Sequence, residues 1–194
     1  KDRVDGYKTL LLQQDDEIVR LKAINNQLVE ENTELKTEKN ELNESLRDLN
    51  KNKEELEEKV AFAGRLRAEG MRIIAVNSNN KERQGEFKNR HIDKLKIIFD
   101  IPENKVSPIE GKSIMIKITA PDGNVLFDVA SGSGTFMFDN REMFFTAKQE
   151  ILYDRTAQNM SFLYNKGSEY ALGKHIVEVY TDDYLMGKES FIVK

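Results

Sequence analysis

The 194-residue sequence contains no cysteine and no tryptophan, and it has only three prolines. Without cysteine the chain can form no disulfide bond, no thiolate metal site and no thiol nucleophile. No apolar stretch approaches the roughly 20 residues of a membrane-spanning helix. The two histidines, His91 and His175, have no second histidine or carboxylate at the spacing of a zinc site. We therefore expect no catalytic residue, no metal and no cofactor, and a protein that is not an enzyme.

Three short patterns resemble chemical motifs only in part. Ser133 lies between two glycines, but the strand–turn–helix context of a hydrolase nucleophile is missing. The end of a phosphate-binding loop is present at Gly111–Ser113, while Val106 stands where its first glycine should be. Asp182 and Asp183 could ligate calcium, although such a pair more often forms a hairpin turn.

The N-terminal part carries a leucine at every seventh position from Leu21 to Leu56, and neither Gly nor Pro occurs between Tyr7 and Phe62. A seven-residue apolar repeat predicts a helix whose seam must pack against another helix in a supercoil. With the leucines at the d positions of the heptad, the predicted dimerisation residues are Ile18, Leu21, Asn25, Leu28, Asn32, Leu35, Leu42, Leu46, Leu49, Leu56 and Val60.

Polar residues in this seam favour a parallel, in-register homodimer. Asn25 and Asn32 occupy a positions, which trimers and tetramers bury more fully than dimers do. In a parallel dimer each g position faces the e position five residues later on the other chain. The charged pairs predicted in this way are Glu17 with Lys22 and Glu31 with Lys36. The alternative is one amphipathic helix packed on a globular domain. It is disfavoured because about 57 helical residues would extend ~85 Å.

Composition separates a stalk from a head. Residues 1–63 carry 11 Lys/Arg and 16 Asp/Glu, a net charge of −5, whereas residues 64–194 carry 19 and 18, a net charge of +1. All ten phenylalanines lie at or after Phe62, and all three prolines lie in the second part. We expect a coiled-coil stalk over residues 1–70 and a head over residues 71–194. The helix is predicted to end near Glu69, with Gly70 as the left-handed residue that follows it.

In the head, the apolar period changes from seven to two, and turn residues recur every 8–12 positions. This pattern predicts an antiparallel, all-β sandwich of immunoglobulin-like type, with a small barrel as the alternative. The predicted strands cover residues 71–76, 94–101, 113–119, 125–127, 135–138, 143–153, 160–164, 173–181 and 190–193, with a loop or irregular helix at 78–90.

Several turn and strand motifs of the head also carry a family resemblance. They are Phe99–Asn104, Pro121–Gly123, Ser133–Phe136, Thr146–Lys148 with Tyr153, Gly173–Tyr180, Tyr184–Gly187 and Ser190–Phe191. Through them, the stretch from Met71 to Lys194 resembles a C-terminal domain of bacterial coiled-coil proteins of unknown function. These proteins are chiefly of Bacteroidetes type, and some are labelled chromosome-segregation or SMC-like. The resemblance implies an N-terminal anchor, a coiled-coil stalk and a terminal sandwich in the cell envelope.

The chain begins at Lys1, without Met and within a heptad. We expect a preceding signal, lipid or membrane anchor to have been removed, so that any contact with a membrane is made through that anchor. A periplasmic or membrane-anchored location is accordingly favoured over a cytoplasmic one.

The predicted function is structural: a stalk that presents two heads to an unknown protein partner. Tyr184, Leu185 and Met186, in the last hairpin, are the predicted partner surface, with burial in the core as the alternative. Their apolar side chains lie between Asp183 and Gly187.

Two other functions stay open. The segment from residue 65 to residue 96 holds nine Lys/Arg against four Asp/Glu, and Arg65, Arg67 and Arg72 cluster at its start. A DNA-associated tether would bind phosphates through this patch, although the acidic stalk and the pI of about 5.4 disfavour nucleic acid. A carbohydrate- or polymer-binding module would need an aromatic platform, for which the sequence offers no tryptophan.

Overall fold

A computed structural model describes residues 2–165, 167, 169–181 and 183–194. Within these ranges, the side chains are described for residue 8 and for residues 10 and above. The chain folds as two compact units, Lys1–Glu58 and Lys59–Lys194. One long helix, α1, covers Asp2–Ala63, and the described elements that follow it are strands and two short 3₁₀ turns. One long N-terminal helix followed by an all-β domain is what the change of apolar period predicts.

The helix ends at Ala63, so the predicted end near Glu69 is wrong. Leu66 is buried, with 2% of its surface exposed, and it lies in the connection between the helix and the first strand. Gly70 has a φ of +59°, but it lies inside the first strand, where the pairing shifts register between Glu69 and Arg72. Burial of Leu66 and strand pairing therefore end the helix earlier than its local sequence requires, and Gly70 serves a bulge instead of a helix cap.

Eleven strands follow α1 in the described chain. They are β1 (Glu69–Val76), β2 (Glu82–Gln84), β3 (Glu86–Phe87), β4 (Lys94–Ile101), β5 (Glu110–Thr119), β6 (Gly134–Phe138), β7 (Arg141–Phe145), β8 (Ala147–Tyr153), β9 (Gln158–Asn165), β10 (Gly173–Tyr180) and β11 (Leu185–Val193). Two short 3₁₀ turns lie at Asn89–His91 and Val129–Ser131.

The strands form two main sheets with the orders β2-β1-β4-β9 and β3-β11-β10-β5-β8. All pairings are antiparallel except the two-residue pairing of β3 with β11. Seven of these strands are long. In chain order, the first, second and fifth of them (β1, β4 and β9) lie in one sheet, and the other four (β5, β8, β10 and β11) lie in the second sheet. This is a Greek-key order of immunoglobulin type, with the fourth strand beside the third. The sandwich is therefore confirmed, and the barrel alternative is wrong because the two sheets are separate.

One apolar core lies between the two sheets. Alternate residues of β4 and β5 point into it, as a two-residue period requires. The residues of the two sheets that are most completely enclosed there are Ala75, Phe87, Leu95, Ile97, Phe99, Ile101, Ile114, Ile116, Ile118, Tyr153, Val177 and Val179.

A separate hairpin, β6–β7, packs on the outer face of the five-stranded sheet. Met115 and Tyr180 point to that face because their neighbours along β5 and β10 point into the core. Phe136, Phe138 and Phe145 cover them, with the ring centroids of Phe138 and Tyr180 5.1 Å apart. The hairpin thus adds a third layer at this position.

Four predicted segments differ from the structure. The strand predicted at 190–193 is part of β11, which already begins at Leu185. The predicted loop or irregular helix at 78–90 contains β2, β3 and a 3₁₀ turn. The single predicted strand at 143–153 divides at Thr146, whose Oγ1 accepts the amide hydrogen of Ile118 at 3.0 Å and interrupts the ladder. The predicted strand at 125–127 makes only an isolated bridge from Val125 to Thr119. In each case, pairing with other parts of the chain determines the secondary structure, which the local alternation of apolar residues does not determine.

Candidate functional site

The leucine seam of α1 is a stripe of apolar side chains that lies exposed along the helix. In the chain by itself, its nine apolar residues are between 48% and 64% exposed; they are Ile18, Leu21, Leu28, Leu35, Leu42, Leu46, Leu49, Leu56 and Val60. Asn25 and Asn32 are exposed in the same helix. A repeated row of exposed apolar side chains on one helix face is typical of an interaction site.

The end of the helix is fastened to the sandwich within the second unit. The amide hydrogen of the buried Leu66 is donated to the Tyr184 hydroxyl, with a nitrogen–oxygen distance of 2.6 Å. The Asn104 side-chain amide donates to the Ala63 carbonyl at 2.8 Å and to the Arg65 carbonyl at 3.4 Å. Carbonyls at a helix end lack partners within the helix, so Asn104 acts as a cap supplied by a distant loop.

Arg65 lies between two aromatic rings at this junction. Its guanidinium carbon is 5.3 Å from the ring centroid of Phe62 and 5.2 Å from that of Tyr184. These are cation–π distances. The predicted nucleic-acid residues therefore differ in their surroundings: Arg65 is exposed but stacked, whereas Arg67 is exposed in the connection and Arg72 is exposed on β1.

A cleft of about 310 Å³ opens beside the junction, also within the second unit. Its residues are Val60, Ala61, Gly64, Arg65, Val106, Pro108, Lys112, Asp183 and Tyr184. Lys112 pairs with Glu110, with 2.5 Å between Nζ and Oε1. Burial works against the charge on Lys112, but the hydrogen bond and the charge of Glu110, together with the charges of Tyr184 and Asp183, outweigh it and raise the pKa of this ammonium. The cleft thus combines an apolar wall with charges of both signs.

The predicted partner surface needs a correction. Met186 is only 6% exposed and belongs to the core between the sheets. Leu185, at the start of β11, is 44% exposed, and Tyr184 is half-buried at the junction. Because adjacent residues of a strand point to opposite faces, Leu185 and Met186 cannot form one patch. Of the three residues, Leu185 alone is freely exposed.

An exposed aromatic face was missed by the sequence analysis. Phe127 and Phe144 make an edge-on contact with ring centroids 5.3 Å apart, and both are exposed. Met137 lies on the same face of the β6–β7 hairpin, since it alternates with Phe136 and Phe138, which point to the sheet. The alternation of apolar residues over 134–145 predicts this exposed face once the segment is treated as one β-hairpin.

The partial motifs have structural roles. The Ser133 hydroxyl is buried, donates to the Thr146 carbonyl at 2.7 Å and accepts from the Asp128 amide at 2.9 Å, so it locks a loop. His175 is buried and stacked on Phe191, with centroids 4.8 Å apart. Among the residues described, no three His, Asp or Glu side chains are placed to hold a metal ion. Asp182, of the suggested calcium pair, lies outside the described residues.

The fold defines the class as an immunoglobulin-like β-sandwich preceded by a long helix. Residues 69–194 match the family described as "Domain of unknown function (DUF8428)", and the chain belongs to this family. No curated protein matches the sequence. No helix in the described part of the chain is long and apolar enough to cross a membrane.

Two solved structures are similar to the chain. One is the Pseudomonas fluorescens alkylpurine DNA glycosylase AlkC bound to DNA containing an abasic site analogue, with 9% identity and a TM-score of 0.39. The alignment covers 66% of this chain and 30% of the glycosylase chain. The other is an immunoglobulin-like protein from Pseudomonas aeruginosa, with 15% identity and a TM-score of 0.33, covering 67% of this chain and 97% of the other.

Proposed function

We propose that this protein is a non-enzymatic structural and interaction protein. Two copies form a parallel coiled coil through α1, and the coil presents two immunoglobulin-like heads to a protein partner. The observation that carries the proposal is the exposed seam: nine apolar side chains at heptad spacing on one helix of 62 residues. A surface of that size is costly in water and is relieved by pairing with an identical surface.

The energetics favour association. Complete burial of one large aliphatic side chain contributes about 1.5–3 kcal/mol. If each half-exposed seam residue gains only about 1 kcal/mol, nine residues on each of two chains exceed the roughly 4–15 kcal/mol that association costs. Asn25 and Asn32 reduce the gain but select the two-stranded, in-register arrangement.

Pairing the heads raises the effective concentration of the second head once the first is bound. The exposed face of the β6–β7 hairpin, with Phe127, Met137 and Phe144, is the surface that each head offers to a protein partner. The resemblance to bacterial coiled-coil proteins supports a place in the cell envelope.

The DNA-associated tether remains a prediction with its own test. Binding to a DNA duplex should weaken steeply with salt and should be lost when Arg65, Arg67 and Arg72 are all neutralised. A carbohydrate- or polymer-binding head has less support, because Phe127 and Phe144 meet edge to face and offer no flat platform.

Sedimentation at micromolar concentration tests the proposal. The whole chain should be an elongated dimer, and the double variant Leu35→Lys and Leu42→Lys, at two d positions, should be a monomer. The matched control, Thr37→Lys and Asn40→Lys, adds the same two positive charges in the same two heptads at an f and a b position, away from the seam, and should remain a dimer. A monomeric wild-type chain would refute the coiled-coil dimer.

A further inference from the structure

A short segment of the head, residues 81–91, crosses from one sheet of the sandwich to the other and carries mainly positive charge. It contains β2 of the four-stranded sheet and β3 of the five-stranded sheet, and a 3₁₀ turn at Asn89–His91 leads on to β4. Its cationic side chains are all exposed; they are Lys81, Arg83, Lys88 and Arg90. The half-buried His91 closes the segment. Four permanent positive charges and one titratable ring therefore lie on one short stretch of the chain.

The two acidic side chains of this segment are paired with lysines from outside it. Glu82 pairs with Lys96 on β4, with 3.1 Å between Oε1 and Nζ. Glu86 pairs with Lys194. Within the described part of the chain, none of the four exposed cations of the segment takes part in an ion pair. The glutamates thus leave the positive charge of the segment without a counter-charge.

Three of the cations lie close enough to His91 to act on its charge. Burial lowers the pKa of the His91 imidazole most, and the positive charges of three neighbours lower it further; they are Arg83, Arg90 and Lys88. Arg90 Nε also lies 3.5 Å from His91 Nε2, which accepts its hydrogen when the ring is neutral. No Asp or Glu side chain in the described part of the chain acts against these cations at His91. We call these four residues, Arg83, Lys88, Arg90 and His91, the basic cluster.

The turn that carries the basic cluster is firmly attached to the sandwich. Phe87, before the turn, is 1% exposed, and Ile92, after it, is 3% exposed. The side chain of Asn89 holds the middle of the turn: its Nδ2 donates to the Tyr170 carbonyl at 2.7 Å, and its Oδ1 accepts from the Tyr170 amide at 2.9 Å. The backbone under the cluster is therefore fixed in advance, and a ligand does not have to order it.

We propose that the basic cluster binds a phosphate group, either of free phosphate or a small phosphomonoester, or of a lipid headgroup. A guanidinium group matches phosphate oxygens with two parallel hydrogen bonds, and the cluster holds two such groups, Arg83 and Arg90. A phosphomonoester carries a charge of about −1.5 to −2 near pH 7, which suits several cations better than the single charge of a carboxylate does. This binding is a function of the head by itself and does not depend on the coiled-coil dimer.

The two histidines of the chain provide a probe and its internal control. NMR of the imidazole protons of the full chain is recorded while inorganic phosphate replaces sodium chloride at constant ionic strength. The His91 signals should shift to saturation, and the pKa of His91 should rise because a bound anion stabilises the imidazolium. The signals of His175, which is buried in the core, should not move. Absence of a saturable His91 shift would overturn the proposal for free phosphate.

Paired substitutions test the arginines. The double variant Arg83→Gln and Arg90→Gln should bind inorganic phosphate at least about fivefold more weakly, since one exposed charge pair is worth up to about fivefold. The matched control, Arg67→Gln and Arg141→Gln, removes two exposed arginines of the same head outside the cluster and should bind as the wild type does. Equal affinities of the two double variants would show that the cluster is not the site.

Vesicles distinguish the two sources of the phosphate group. The full chain is sedimented with phosphatidylcholine vesicles that contain or lack phosphatidic acid. Sedimentation with phosphatidic acid alone, lost in the Arg83/Arg90 variant, assigns the lipid headgroup; a saturable His91 shift without sedimentation assigns the soluble ligand. If neither inorganic phosphate nor phosphatidic acid is bound while a DNA duplex is bound through Arg83 and Arg90, the phosphate-group site is wrong and the cluster is part of a nucleic-acid surface.

Discussion

Removal of the Tyr184 hydroxyl tests how the helix end is fastened to the sandwich. The variant Tyr184→Phe deletes the acceptor of the Leu66 amide hydrogen, which lies 2.6 Å away, and retains the ring over which Arg65 stacks. Leu66 is 2% exposed, so its amide group loses its partner in a place that water reaches poorly.

An unpaired buried donor costs about 1–3 kcal/mol. Tyr184 is itself only half-buried, so we expect a value near the lower end, about 1–1.5 kcal/mol, in the free energy of unfolding of the second unit. The further truncation Tyr184→Ala also removes the cation–π contact with Arg65, worth about 0.5–1 kcal/mol at an exposed site, and should cost correspondingly more.

The assay is urea unfolding of the full chain, followed by NMR signals of isoleucine methyl groups in the sandwich core, together with hydrogen exchange at the Leu66 amide. The control is Tyr164→Phe, since the Tyr164 hydroxyl makes no hydrogen bond in the described part of the chain and is not among its buried, unpaired atoms. Exchange at Leu66 should accelerate in Tyr184→Phe alone. Unchanged stability and unchanged exchange at Leu66 would refute the fastening role of Tyr184.

Three further predictions concern the head. Phe145→Ala should cost about 3 kcal/mol because Phe145 is 8% exposed and packed on the sheet, whereas Phe144→Ala, at 50% exposure, should cost less than about 1 kcal/mol in the same urea assay. Burial lowers the pKa of His175, so stability should decline as pH falls below the ordinary histidine value of 6.5, and His175→Phe should lessen this decline in pH-dependent melting. Gly187→Ala would place a β-carbon 2.9 Å from the Ala68 carbonyl oxygen, and a drop in melting temperature should follow; unchanged melting would show that the strand adapts.

The expected change of folding stability with pH, which arises from His175, has a definite direction. In the unfolded chain His175 binds a proton near pH 6.5, while in the folded chain it stays neutral to lower pH because burial disfavours the charge. The Gly173 carbonyl and Asp122 oppose this effect without reversing it. The unfolded state therefore holds more protons between the two pKa values, and acidification through that interval favours unfolding. A melting temperature that rises on acidification from pH 7 to pH 6 would contradict this assignment.

The outline of the fold could be predicted from residue spacing. An unbroken stretch from Tyr7 to Phe62 at period seven defines a long helix, and period-two segments between turns define strands; β4 is predicted at its observed bounds, 94–101. These patterns work because the side-chain directions of helices and strands are fixed by the backbone geometry.

The site could be predicted only in part. The seam at Leu21 to Leu56 is a property of one helix and is visible in the sequence. The junction is not, because Asn104 and Tyr184 reach the end of α1 from loops 41 and 118 residues away. The position of the β6–β7 hairpin could not be predicted from the sequence either. Its packing on Tyr180 depends on which face of the five-stranded sheet the hairpin covers.

The sequence by itself determined the helix, its seam and the β character of the head, because each follows from the period of apolar residues along the chain. Tertiary structure alone decided where the helix ends, which side of β11 faces the core at Met186, and which surface remains exposed on the hairpin. Those outcomes depend on contacts between segments far apart in the chain. No local spacing encodes such a contact, because its energy exists only when both segments are in place.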